Sequence, residues 1–70
     1  MVIHDAKEFG QAIRNRRKEL GYTQGYLADF TGFSVSFISE LENGKVTAEI
    51  GKALTLVNLL GLNLEIGVRG

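Results

Sequence analysis

Apolar residues recur at helical spacing through most of this 70-residue chain, and the period changes only near its end. Asp5 with Glu8 three positions on forms a D-x-x-E cap for a first helix running to about Leu20, where Gly21 supplies the stop. Phe9, Ile13 and Leu20, with Ala6, mark the buried stripe of that helix. Thr23 caps a second helix over about 24–31, with Leu27 and Ala28 turned inward. Ser34 caps a third over about 35–43, which packs through Ile38 and Leu41 and stops at Asn43-Gly44. Thr47 is placed to cap a fourth over about 48–60, ended by Gly61, with Ile50, Ala53, Leu54, Val57 and Leu60 as its core stripe. There is no proline, low-complexity run or internal repeat, so the pattern describes one compact unit.

The second and third helical patterns are hinged on Gly32. A turn that short favours φ > 0, which costs a residue with a Cβ more than it costs glycine. A small side chain at Ala28 lets the two helices cross closely. Together these are the rules of a helix-turn-helix, an arrangement that lays its second helix in the major groove of a DNA duplex.

From Leu62 the period shortens to two: Leu62, Leu64, Ile66 and Val68 alternate with Asn63, Glu65, Gly67 and Arg69, as in a half-buried β-strand. No other segment reads as a strand, and an unpaired strand leaves its amides and carbonyls without partners. The same strand of a second molecule would supply them as an antiparallel pair; a frayed tail is the bland alternative. Leu56 and Leu59 fall on a different face of the fourth helix from its core stripe. Either they pack under the flanking segments or they meet a second copy. We favour a homodimer, with Leu56, Leu59, Leu62, Leu64 and Ile66 at its interface, and expect residues 1–61 to form the DNA-binding domain and 62–70 the dimerisation strand.

Composition narrows the classes. With no cysteine there are neither disulfides nor thiolate metal sites, which suits a reducing cytoplasm. The lone histidine, His4, reads as a solvated surface group, so no metal or other cofactor is expected. No apolar run nears the roughly 20 residues of a membrane span, and no charged-then-apolar leader opens the chain; the expectation is a soluble, cytoplasmic protein. The formal net charge of zero runs against duplex binding, which usually needs a basic footprint. Its distribution softens the objection: the part up to Gly25 has five basic residues against three acidic ones, four of the basic ones within Arg14–Lys18. That run is either a solvated helix face or a phosphate attractor.

Base contacts require the reading helix to be held in register against phosphates. The start of the second helix, Thr23-Gln24-Gly25, presents free N–H groups and a positive dipole end to an anion. Gln24 can donate to phosphate or brace the third helix. On that helix Ser34, Val35 and Ser36, and one turn on Ser39 and Glu40, face outward. Serine serves several base edges, Val35 offers apolar contact to a thymine methyl, and Glu40 can accept from a cytosine amino group or be simply solvated. Phe37 reads as packing rather than groove contact. No arginine is placed as a guanine reader, so part of the specificity falls to DNA shape. Asn43 and Lys45 are placed for phosphate, or Asn43-Gly44 is a plain helix stop. Arg17 and Glu42 are placed to bridge the first and third helices as an ion pair.

At these residues the chain resembles the Cro/CI-like (XRE) helix-turn-helix family. IRNRRKELGYTQGYLADFTGFSVSFISELENGK is similar to that family's arginine helix, G-x-TQ-x-x-LA, turn glycine and S-x-S-x-IS-x-xE-x-GK. Gln24, Leu27, Ala28, Gly32, Ile38, Leu41, Glu42 and Gly44 fall at its expected positions, and the likeness covers residues from about 5 to 60. It implies an all-α, four-to-five-helix lambda-repressor-like DNA-binding domain, DNA-facing positions for Gln24, Val35, Ser36 and Glu40, and an Arg17–Glu42 pair. Gly25 and Tyr26 depart from the acidic pair usual after TQ, weakening that helix by roughly 1 kcal/mol at the glycine. The remainder, EIGKALTLVNLLGLNLEIGVRG, looks like HipB-type antitoxins, in which a leucine-rich helix leads into a strand shared across a dimer. That likeness implies an autoregulating repressor of a palindromic operator in double-stranded DNA, with a HipA-type kinase toxin as partner. A stand-alone phage- or plasmid-type repressor, and a protein-interaction adaptor without DNA binding, are the alternatives. No nucleophile–base set, carboxylate pair or phosphate-cradling loop points to an enzyme.

Overall fold

The computed structural model describes residues 2–70; Met1, the first residue of the expected 1–61 domain, lies outside them. Four helices follow in order: α1 (Ala6–Glu19), α2 (Gln24–Thr31), α3 (Val35–Glu42) and α4 (Ile50–Leu59). Local chemistry sets their ends. The Glu8 amide donates to Asp5 Oδ1 at 2.8 Å while the Glu8 carboxylate accepts from the His4 amide at 2.7 Å, a reciprocal cap that opens α1. Thr23 and Ser34 hydroxyls each accept from the amide three residues on, at 3.0 Å, and open α2 and α3.

One core joins all four helices: Ile13 from α1, Leu27 and Ala28 from α2, Ile38 and Leu41 from α3, and Ala53, Leu56 and Val57 from α4, with Leu60 just past its end. Phe9, Phe33, Phe37 and Leu62 pack on its rim. The α1–α3 crossing is closer than the pattern foretold. A Cβ on Gly10 would lie 2.2 Å from the Leu41 carbonyl oxygen and 2.8 Å from that of Glu42, so only glycine admits this approach. Past the end of α3, Gly44 at φ 89° repeats the constraint, because a Cβ there would lie 2.8 Å from Lys7 Cα.

Several expectations need correcting. Leu20 is not on the buried stripe of α1: it is the exposed C-cap, and Gly10, Ile13 and Arg17 are the buried residues. Thr47 does not cap α4. A turn closed by the Ala48 amide on the Lys45 carbonyl delays the helix, which opens at Ile50 behind Glu49 without a side-chain cap. The inward face of α4 differs in part from the expected stripe: Ala53, Val57 and Leu60 are buried as expected and Leu56 with them, whereas Ile50 is 72% and Leu54 37% exposed. Leu56 is fully buried within the single chain and has no surface to give a second copy, so it leaves the set of interface candidates; Leu59 stays 42% exposed. Among the described residues there are no strands and no fifth helix. Residues 62–70 run on from α4, with Leu62 packed on the core, Leu64 half exposed, and Ile66 and Val68 fully exposed. No helix among the described residues is long and apolar enough to cross a membrane.

Candidate nucleic-acid interface

The centre of the site is a buried polar knot under the helix-turn-helix. Arg17 Nε donates to Glu42 Oε2 at 2.7 Å and its Nη2 to Glu42 Oε1 at 2.9 Å, a two-point pairing of α1 with α3. The same guanidinium donates from Nη1 to the Tyr22 carbonyl at 2.9 Å, fixing the α1–α2 connection. Gln24 Nε2 adds a donor to Glu42 Oε1 at 3.1 Å. Arg17 and Glu42 are 7% and 4% exposed, so each needs the other, and among the described residues no buried side-chain polar atom lacks a partner. The hydrogen bond and charge of Glu42 hold the Arg17 guanidinium more firmly protonated than usual, against the opposing effect of burial. The first residue of α2 and the last of α3 are thus tied through one carboxylate, and α1 is fastened to both.

Around this knot the candidate residues share the outer surface of α2 and α3. Thr23 is exposed, with its hydroxyl taken by the Tyr26 amide. Ser34 is likewise exposed and engaged as a cap. Val35 (48% exposed), Ser36 and Glu40 point outward, and Ser39 is half-buried. Gln24 is half-buried and braces Glu42, leaving its carbonyl and second N–H for another group. Asn43 folds back on α3, donating from Nδ2 to the Ser39 carbonyl at 2.9 Å, and Lys45 pairs with Glu40. Phe37 packs on the core rim, edge-on to Phe33 with centroids 5.5 Å apart.

The arginine run divides by role. Arg17 belongs to the knot, and Arg16 Nε donates to the Leu60 carbonyl at 2.8 Å, holding the end of α4. Arg14 and Lys18 remain exposed cations. Three features escaped the sequence reading. Gly10, at the α1–α3 crossing, sits next to the expected apolar stripe and gives no spacing signal of its own. Lys52 lies over the Phe33 and Phe37 rings at 5.6 and 5.5 Å from their centroids, carrying a cation to the flank of α3. Tyr22, just ahead of α2, and Tyr26 and Phe30 on it form a row of exposed rings, with centroids 4.9 and 6.3 Å apart; their i, i+4, i+8 spacing was legible.

Comparison with known proteins agrees with this geometry. The Helix-turn-helix family profile matches residues 13–66. The uncharacterised HTH-type transcriptional regulator y4mF of Sinorhizobium fredii is 41% identical over 64 residues, 91% of this chain and 84% of that protein. The ImmF control region 10 kDa protein of Bacillus phage phi105 is 33% identical over 64 residues, 91% of this chain and 69% of that one. Among solved structures, HipB in a complex with an O2 20mer superimposes with a TM-score of 0.89 at 21% identity, covering 100% of this chain and 97% of that one, a likeness of fold. With the helix-turn-helix geometry, the profile match and the close regulators all in agreement, the chain belongs to the XRE-type helix-turn-helix family, whose members are transcriptional regulators and not enzymes.

Proposed function

We propose that this protein is a sequence-specific transcriptional repressor that binds a palindromic operator as a homodimer, and that it is the autoregulating antitoxin of a HipA-type kinase toxin. The observation that carries the DNA-binding part is the outward polar edge of α3, held at a fixed angle to the N-terminus of α2 by Arg17, Gln24 and Glu42. Thr23 and Gln24 meet one phosphate at the N-terminus of α2, and Asn43 and Lys45 another at the end of α3. Between them Ser34, Val35, Ser36, Ser39 and Glu40 reach base edges. The antitoxin part is supported by the HipB-like fold over the whole chain. Dimerisation is supported by the apolar residues that the single chain leaves uncovered at Leu59, Leu64 and Ile66. Such a protein acts in the cytoplasm, where its operator is.

The test is electrophoretic retardation of an inverted-repeat fragment from the protein's own promoter. The wild type should shift it, and Gln24→Ala, with an unchanged circular dichroism spectrum, should not. An unshifted fragment with the wild type would defeat the DNA reading. The phage phi105 relative favours a second reading, a stand-alone phage-type regulator without a toxin. Co-purification with a kinase-like protein encoded beside it separates the two.

A further inference from the structure

Lys45 and Glu40 touch across the end of α3, and the backbone keeps them neighbours. The Lys45 amide donates to the Glu40 carbonyl at 3.0 Å in the turn that Gly44 makes possible, so the lysine cannot drift away from the carboxylate. Both side chains are half in water, 49% and 48% exposed, and an ion pair so wet is weak and easily exchanged. Each is the other's ion-pair partner among the described residues, in contrast to Glu42, which is saturated by Arg17 and Gln24. Glu40 also occupies the outward edge of α3 one turn beyond Val35 and Ser36, where a bare carboxylate would be repelled by the duplex.

Building on the DNA-binding reading above, we propose that Lys45 is an exchangeable counter-ion for Glu40 and that the exchange makes Glu40 a specificity-determining residue. In the free protein the lysine neutralises the carboxylate, so the approach to DNA is not opposed. On the duplex Lys45 Nζ transfers to a phosphate oxygen, and the freed carboxylate accepts a hydrogen bond from a cytosine N4 amino group. Cytosine is the base that fits. Adenine also offers an amino group in the major groove, but its N7 acceptor lies beside it and repels the second carboxylate oxygen, whereas cytosine has no acceptor of its own on that edge. The backbone tether lets one lysine serve both partners without rearrangement of the fold.

The experiment measures binding of the full chain to a duplex selected by the wild type from a randomised pool, over a range of salt concentrations. Lys45→Ala should flatten the slope of log affinity against log salt by about 0.9 for each protomer bound. Lys45→Arg should restore it, since the charge is kept. Glu40→Gln should keep the wild-type slope yet lower the preference for cytosine over the other bases at one position per half-site, on the order of tenfold. A wild-type slope in Lys45→Ala, or an undiminished cytosine preference in Glu40→Gln, would overturn the exchange while leaving DNA binding intact. Absence of any duplex binding by the wild type would instead remove the functional reading, and this inference with it.

Discussion

Gly10→Ala is a test in which two well-understood effects have opposite signs. In an exposed helix the change adds about 1 kcal/mol of stability, because alanine loses less backbone freedom on folding. At residue 10 the added Cβ would lie 2.2 Å from the Leu41 carbonyl oxygen and 2.8 Å from the Glu42 carbonyl oxygen. Ordinary contact begins near 3.4 Å, so the shortfall exceeds 1 Å, and both obstacles are backbone that no rotamer change can move. Relief therefore requires α3 to back away from α1. Overpacking of this kind costs about 1–3 kcal/mol. Here it also loosens the Arg17–Glu42 pair, whose complete rupture would cost about 3–5 kcal/mol. The net expectation is a loss of about 2–3 kcal/mol, a large share of the roughly 4–10 kcal/mol that a 70-residue domain commands. Urea unfolding followed by circular dichroism at fixed protein concentration measures it. Gly25→Ala is the control: the nearest atom to its Cβ is Thr23 Oγ1 at 3.9 Å, and stability should rise by about 0.5–1 kcal/mol. A Gly10→Ala variant as stable as that control would refute the crossing geometry.

Other outcomes follow from the same contacts. Glu42→Ala should lose about 3–5 kcal/mol by stranding a buried guanidinium, while a double Arg17→Met, Glu42→Leu variant recovers most of it; equal losses in both would mean that the pair's charge is not the issue. Ala28→Leu, at a position 7% exposed, should destabilise the domain and misorient α3, read out by melting and by operator titration; unchanged binding would refute the packing assignment. Removing residues 63–70, which spares Leu62 on the core, should give monomers in analytical ultracentrifugation, and a surviving tight dimer would place the interface elsewhere. Arg16→Ala should leave global stability within about 1 kcal/mol but speed amide exchange around Leu60–Leu62, where its hydrogen bond holds the end of α4.

The capped starts of α1, α2 and α3 were legible because Asp5, Thr23 and Ser34 act within three residues of sequence, with no help from the rest of the fold. The apolar spacing located most of the core for the same reason. On α4 it located Ala53, Val57 and Leu60 but wrongly added Ile50 and Leu54 and left out Leu56, because leucines crowd the helix and two overlapping stripes satisfy one period. Which of the two turns inward is decided by packing against the other helices, which the spacing alone does not show. Gly10 was invisible because its role rests on a carbonyl about thirty residues away. Arg17 and Glu42 were placed by position, and Gln24 as a possible brace of the third helix, but only the three-dimensional structure gives the brace its partner, where the amide spends one donor on Glu42.

The buried knot has a consequence for how such a regulator diverges. Val35, Ser36 and Glu40 add nothing to the core, whereas the orientation of their helix is guaranteed from beneath by Arg17, Gln24 and Glu42. Those three positions can accordingly be rewritten one at a time with little penalty to folding, so that new target preferences are reachable by single substitutions on an unchanged chassis. Duplicated copies could therefore drift apart in what they read long before they drift apart in shape.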